Sequence, residues 1–347
     1  MDRPASVARI SKERFLELLG RFTTPRIVVF GDLIADEFVY GRVARVSREA
    51  PVLILEYDST ELLPGGAGNA ATNAAALGGR VTVVGLAGRD DAGRRMLASL
   101  PRSVSRAGVV RPDDYQTPVK TRILAGGIHS AKQQVVRIDR RIDPATDRHR
   151  TAVERALRTA IRKADALLVS DYGMGLVSPR FVAALAREIR GSRRLIPILI
   201  DSRYALTRYR RLTACTPNES EVEQVLGLRI NDNMRVLERA GRTLLKRTSM
   251  DAVLITRGSR GMALFQPDTP TVHIPIFGSD QIADVTGAGD TVMATMTLSL
   301  AAGATFEEAA RLANYAGGLV VMKRGTATVS PGELRRAIEY DEATHHG

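Results

Sequence analysis

The chain has 347 residues, 44% hydrophobic and 25% charged, with a single cysteine and a formal charge of +12. That length builds one large α/β domain or two ordinary ones, and the composition excludes intrinsic disorder and a disulfide-stapled scaffold. The longest aliphatic run, about Leu195–Ile200, is far short of the ~20 residues that cross a bilayer, which predicts no membrane span, and the lone Cys215 fits a reducing cytoplasm.

The first thirty residues carry no apolar signal-peptide core and are expected to form a short amphipathic helix. Ile27–Gly31 is a β-branched run that predicts a buried strand. Val39–Tyr40 and Val52–Tyr57 read as extended segments, followed by an alanine-rich helix at Ala67–Leu77, a strand at Val81–Gly85 and a helix at Asp91–Leu100. Val109–Val110, Val119–Leu124 and Gln133–Ile138 are strand-like. From about residue 147 the pattern is β/α: helices Arg148–Lys163 and Pro179–Arg190 precede strands Ala166–Ser170 and Leu195–Ile200. Helices Glu219–Leu226 and Asp232–Lys246 precede strand Ala252–Thr256, and a hairpin (Met262–Gln266, Thr271–Ile274) follows. Helices at Ala288–Leu300, Phe306–Met322 and Pro331–Glu339 come last. Such alternation predicts a mostly parallel sheet with helices on both faces. Segments at about 37–57 and 108–138 break the rhythm and are expected to form a small separate sheet.

The strongest motif is Asp284-Val-Thr-Gly-Ala-Gly-Asp-Thr291, directly before an apolar helix. Gly287 and Gly289 allow a tight turn, and the free N–H groups of a helix start converge on an anion. Asp290 in that first turn is then economical as a general base, taking a proton from an attacking hydroxyl while the N–H cluster holds phosphoryl charge. An ordinary Asp favoured by the helix dipole is the plainer reading. Gly65-Gly66-Ala-Gly-Asn69 opens the alanine helix and suits backbone approaching a polyol, with the Asn69 amide on its hydroxyls; simple capping explains it as well. Asp32 and Asp36 stand at the end of the first strand, where ligands bind in open α/β sheets and carboxylates suit vicinal hydroxyls; strand-end Asp also forms turns. Asn218 and Glu221, one turn apart, can hold a hydrated Mg²⁺ or form a capping box. Thr256-Arg-Gly258 and Asn314 can contact a nucleotide. No P-loop, zinc-ligand spacing or serine-nucleophile motif is present.

In that order, Gly65-Gly66…Asn69, Asn218-x-x-Glu221, Thr256-x-Gly258 and Asp284–Thr291 resemble the ribokinase-like (PfkB) carbohydrate kinases over about residues 25–340. The resemblance implies a doubly wound α/β fold with a small β lid, within one domain over residues 1–347. It makes Asp290 the base and the backbone of Gly287, Ala288 and Gly289 an anion hole. Asp36, Gly65, Gly66 and Asn69 would bind sugar with Asp32 assisting; Asn218 and Glu221 would position Mg²⁺; Thr256, Gly258, Asn314 and Asn218 would line the ATP site.

Within that family, strings such as Arg45-Val-Ser-Arg-Glu-Ala-Pro-Val52, Ser170-Asp-Tyr172, Thr216-Pro-Asn218 and Gly325-Thr-Ala-Thr-Val-Ser330 look most like the heptose 7-phosphate kinases of lipopolysaccharide-precursor synthesis. They imply ATP-dependent phosphorylation of the anomeric O1 of D-glycero-β-D-manno-heptose 7-phosphate by a stand-alone kinase, without the nucleotidyltransferase domain fused in some members. Lys120, Arg122 and Arg137, with Arg45 and Arg48, are the expected partners of the distal phosphate. Another hexose, hexose phosphate or pentose acceptor is the alternative, and a nucleic-acid-binding protein that has lost catalysis the remote one. ATP and Mg²⁺ are the implied cofactors, with a monovalent cation left open, and a homodimer through the lid is expected without nucleic-acid or membrane partners. The chain departs from the family at Asp201-Ser-Arg-Tyr204, where Asp-Pro-Lys-Gly is expected, at Ala283 in place of an aromatic, and in a long turn at Ala125–Ser130. The basic surplus is local: residues 1–26, 137–163 and 187–211 carry net charges of +3, +5 and +6, mostly on expected outer helices.

Overall fold

The β-branched runs become strands of one large sheet, and much of the two rhythm-breaking segments becomes a second, smaller one. The computed structural model describes residues 10–126, 132–140, 142–192, 194–278, 284–323 and 325–344. In chain order, α1 (Lys12–Arg21) precedes β1 (Arg26–Gly31), β2 (Leu33–Val46), β3 (Leu53–Gly66), α2 (Ala67–Ala76), β4 (Arg80–Leu86), α3 (Asp91–Ser99), β5 (Val104–Val110), β6 (Val119–Gly126) and β7 (Gln133–Arg140). Next come α4 (Asp147–Ile161), β8 (Ala166–Asp171), α5 (Pro179–Gly191), β9 (Ile198–Ser202), β10 (Ala214–Cys215), α6 (Glu219–Leu226), α7 (Met234–Thr248) and β11 (Ala252–Thr256). They are followed by β12 (Met262–Phe265), β13 (Val272–Ile274), α8 (Ala288–Ala301), α9 (Phe306–Val321) and α10 (Pro331–Thr344).

Among the described residues, nine strands form the large sheet in the order β13-β12-β11-β10-β9-β8-β1-β4-β5. The strands from β11 across to β5 are parallel, and β12 pairs antiparallel with both β11 and β13. Period-two alternation divides the core: Ile27, Val29 and Leu168 face α1, α2, α8 and α9, while Val28, Phe30 and Val169 face α4, α5 and α7. The winding reverses between β1 and β8, so the carboxyl ends of those strands form the crevice where doubly wound sheets take ligands. The expected fold class is borne out.

The small sheet has the order β3-β2-β6-β7. β2 leaves β1 almost at once and β3 runs straight into α2, so this lid is rooted in the crevice. Its base (Leu33, Ile34, Ala35) is buried, whereas Arg42–Val46 and all of β7 are exposed.

Several boundaries differ from expectation. The predicted lid segment 108–138 begins too early, because residues 104–110 form β5, pairing with β4 at the rim of the large sheet. The extended pieces at Val39–Tyr40 and, from Leu53 on, Val52–Tyr57 belong to strands of 14 residues each, whose polar outer halves hid their length. The strand expected at Leu195–Ile200 starts at Ile198: Pro197 has no N–H to give a ladder, and Leu195 is exposed. β10, too short for any periodicity, was not predicted; it fills the gap between β9 and β11 and buries the free Cys215 as the small hydrophobe expected. Ala283 and most of the Ala125–Ser130 turn lie outside the described residues. No helix of the described residues is long and apolar enough to cross a membrane.

Candidate active site

α8 starts from Gly287, whose φ of 80° lies in the left-handed region that favours glycine. A Cβ there would also stand 2.7 Å from the Asn69 amide nitrogen. The first full helical bond runs from Thr291 N–H to the Gly287 carbonyl, and the Ala288 N–H donates to Val285 at 3.2 Å. Of the expected anion hole, Ala288 is therefore already engaged, while the N–H groups of Gly289 and Asp290 have no intrahelical acceptor. Gly289 is exposed to the cavity and a Cβ on it would meet nothing within 4 Å.

The Asp290 carboxylate is buried beneath this turn. Asn69 Nδ2 donates to its Oδ2 at 2.7 Å, and the Tyr172 hydroxyl to its Oδ1 at 3.2 Å. Burial pushes the Asp290 pKa up to about 7, against the pull of those two donors and of Lys120. A buried chain fixes the Asn69 amide: Thr291 Oγ1 donates to Asn73 Oδ1 at 2.8 Å, and Asn73 Nδ2 donates to Asn69 Oδ1 at 3.1 Å. With Oδ1 accepting, Nδ2 is the face offered to Asp290. Asn69 was expected on sugar hydroxyls; its amide donor serves the carboxylate.

On the lid side, Asp36 Oδ1 accepts from Arg122 Nη1 at 2.7 Å, and the guanidinium stands 5.2 Å from the Phe38 ring centroid. Gly65 leaves room for this carboxylate, since a Cβ would lie 2.2 Å from Asp36 Oδ2. Lys120 Nζ sits 5.0 Å from the Tyr172 ring centroid, and Arg137 pairs with Asp139. Asp32 does not join the lining. Its Oδ2 accepts the N–H groups of Tyr172 and Met174 at 2.8 and 3.1 Å, so it anchors the loop after β8.

A cavity of about 410 Å³ gathers Asp36, Gly66, Asn69, Lys120, Arg122 and Arg137 on one side. Asp201, Arg203, Asn218, Glu221 and Thr256 line the other, with Gly287, Gly289 and Asp290 at its base. A larger hollow of about 1170 Å³ lies beside Arg26 and Arg80 at the opposite ends of the strands and contains none of these groups. Arg45 and Arg48 do not reach the 410 Å³ cavity.

Asn218 and Glu221 form the capping box: Asn218 Oδ1 accepts the Glu221 N–H and Glu221 Oε2 the Asn218 N–H, both at 2.9 Å. Both still face the cavity. Burial raises the Glu221 and Asp201 carboxyls, and neighbouring Asp290 and Glu221 charges raise Asp201 further. Crowded, desolvated carboxylates favour a hard cation. Among the described residues no cage of three or more His, Cys, Asp or Glu side chains exists, and the oxygen donors of Asn218 and Glu221 are of the kind a hard cation such as Mg²⁺ takes.

Two expected nucleotide contacts stand apart. Gly258 begins a short turn with φ 57° outside the cavity lining. Asn314 is buried elsewhere, its Nδ2 donating to the Pro275 carbonyl at 2.9 Å, which ties α9 to the chain after β13. Tyr172, Arg203 and Asn73 were not singled out from the sequence. Tyr172 was findable, since Ser170-Asp-Tyr172 ends a strand next to the first one, at the winding reversal.

A model of the pfkB family carbohydrate kinases matches residues 24–332. The bifunctional protein HldE of Trichlorobacter lovleyi is 39% identical over 327 residues, covering 93% of this chain and 65% of the relative. That of Geobacter metallireducens is 41% identical over 310 residues, covering 88% and 61%. The chain thus spans somewhat less than two thirds of the length of these curated relatives. Arabidopsis thaliana ribokinase complexed with ribose and ATP shares the fold with a TM-score of 0.69 at 20% identity, over 91% of this chain and 99% of that one.

Proposed function

The chain belongs to the pfkB family of carbohydrate kinases, and from that premise we propose that it transfers the γ-phosphoryl group of ATP to a sugar phosphate, with Asp290 as the base. The observation that carries this reading is the Asp290 carboxylate itself: buried, raised to about 7, and set in the first turn of α8 beside N–H groups with no intrahelical acceptor. Asp290 takes the proton of the attacking sugar hydroxyl, and the Gly289 and Asp290 N–H groups lie where charge develops on the transferred group. Asp36, held by Arg122, accepts from sugar hydroxyls, and Thr256 and Asn218 lie on the nucleotide side. Asn218 and Glu221 would hold Mg²⁺, which neutralises phosphate charge when bound. Closure of the lid over the cavity excludes water from the reacting centre.

The acceptor we propose is D-glycero-β-D-manno-heptose 7-phosphate, phosphorylated at O1. Support comes from the strings shared with heptose 7-phosphate kinases, from the relatives named HldE, and from the cations available for a second phosphate. Arg122 is engaged by Asp36 and Arg137 by Asp139, which leaves Lys120 and Arg203 as the lining cations with no ion pair among the described residues. Coupled ADP release over a panel of sugars and sugar phosphates tests this: the heptose 7-phosphate is expected to give the highest kcat/KM. Preference for an unphosphorylated sugar would eliminate the reading.

The outer lid exposes Val43, Val46, Leu53 and Tyr57 together with Val135, Val136 and Ile138 on β7. A second copy covering these residues accounts for so much exposed apolar side chain on the outer lid. Light scattering is expected to give twice the chain mass, and Val136→Lys with Ile138→Lys to give the monomer; a monomeric unmodified protein would reject the dimer.

A further inference from the structure

We propose that Tyr172 is a positioning residue for the base: its phenol holds the Asp290 carboxylate in place and keeps it in the proton-accepting form. This deepens the kinase reading and rests on Asp290 being the base.

The loop carrying Tyr172 is fixed more tightly than a packing tyrosine requires. The Tyr172 and Met174 N–H groups both donate to Oδ2 of buried Asp32, and its Oδ1 has no hydrogen-bond partner among the described residues. Buried Asp171 adds a second anchor, accepting the Gly173 N–H at 3.0 Å and the hydroxyls of Tyr209 and Ser202 at 2.7 and 2.8 Å. Two buried carboxylates thus hold one four-residue turn at the winding reversal. The ring is bounded by the lid, with Lys120 Nζ 5.0 Å from its centroid. The hydroxyl then falls 3.2 Å from Asp290 Oδ1 and 3.4 Å from Oδ2, while Asn69 donates to Oδ2 at 2.7 Å. Each carboxylate oxygen has a donor from a different element.

Burial and the nearby Asp290, Asp201 and Asp36 charges push the phenol pKa well up, so it remains a donor throughout the working range. The groups acting on Asp290 are the donors Asn69 on α2 and Tyr172 after β8, the anions Asp36 on β2 and Asp201 on β9, and the cation Lys120 on β6. Among them, the phenol is the one whose hydrogen bond can be deleted with no change of charge and almost none of shape. Its bond favours the carboxylate over the carboxylic acid.

The test is the pH profile of sugar-dependent kcat/KM for Tyr172→Phe. The acid limb is expected to move up by about half a unit to one unit. Activity below the limb would fall about three- to tenfold and recover on the alkaline plateau. Replacement of Tyr172 by 3-fluorotyrosine, a stronger donor of the same shape, is expected to move the limb down. In an Asp290→Asn background, Tyr172→Phe should bring no further loss, because its effect acts through that carboxylate. A superimposable profile, or a uniform loss at every pH, would overturn the proposal as a merely structural effect. Should Tyr172→Phe melt early, the fluorotyrosine protein alone decides, an unmoved limb rejecting the role. Absence of sugar-dependent ADP release in the unmodified protein is a separate result that would sink the kinase reading itself.

Discussion

Asp290→Asn is expected to lower sugar-dependent turnover about 10²- to 10⁴-fold while leaving ATP affinity within about twofold. The amide oxygen of the replacement still accepts from Asn69 and Tyr172, so the geometry around α8 is kept and only the proton acceptor is lost. The same substitution is expected to stabilise the fold. Burial raises the native carboxyl from 3.8 to about 7, so at pH values between those limits the native state binds more protons than the unfolded chain. The destabilisation is therefore fully present above about pH 7 and is relieved as pH falls through that value. Its ceiling is about 4 kcal/mol at pH 8. Melting curves at pH 8 should place the variant above the unmodified protein, with the difference shrinking toward pH 5. A variant keeping a tenth of the original kcat would remove Asp290 from the base role; an unchanged melting temperature would show the carboxylate is not strained by burial.

That opposition between activity and stability explains why some of the site was legible in the sequence. Asp284–Thr291 combines a left-handed glycine, open N–H groups and a carboxylate within one helical turn, so its chemistry is local and can be read from spacing. Asn218 and Glu221 were legible as a pair but not as a choice, because a capping box and a cation site need the same residues, and the structure contains the box. Tyr172, by contrast, meets Asp290 across 118 residues, and Asn73 matters through Thr291, 218 residues away. No pattern along the chain encodes such pairs; only the order of strands does. The lid was recognised because it broke the β/α rhythm, yet its inner edge was misplaced, since β5 has the same short extended pattern as a lid strand. The +12 charge illustrates the reverse. Many of its arginines lie on outer helices in ion pairs such as Arg14–Glu308 and Arg158–Glu188, worth little each, and none of the cations in α4 or α5 lines the 410 Å³ cavity.

Gly65→Ala is expected to raise the KM for the sugar about 10- to 100-fold with little change in the KM for ATP. Gly65 lies outside the left-handed region, so its backbone accepts alanine. What the added methyl meets is the carboxylate, 2.2 Å from Asp36 Oδ2 and 2.7 Å from its Cγ. Contacts that short cannot persist, and the short Asp side chain yields before the strand does. Rotating Asp36 away breaks its 2.7 Å bond to Arg122 and leaves a mostly buried guanidinium without its carboxylate, which deforms the surface offered to sugar hydroxyls. The neighbouring position supplies the contrast. Gly66 has φ 56° and its Cβ would stand 2.4 Å from the Asp32 carbonyl oxygen, so Gly66→Ala strains the backbone and should depress the melting temperature. Steady-state kinetics in both substrates, read beside melting curves, separates the two. A Gly65→Ala protein with an unchanged sugar KM would show that Asp36 does not hold the acceptor, because no other group stands in the path of that methyl at less than 3.3 Å.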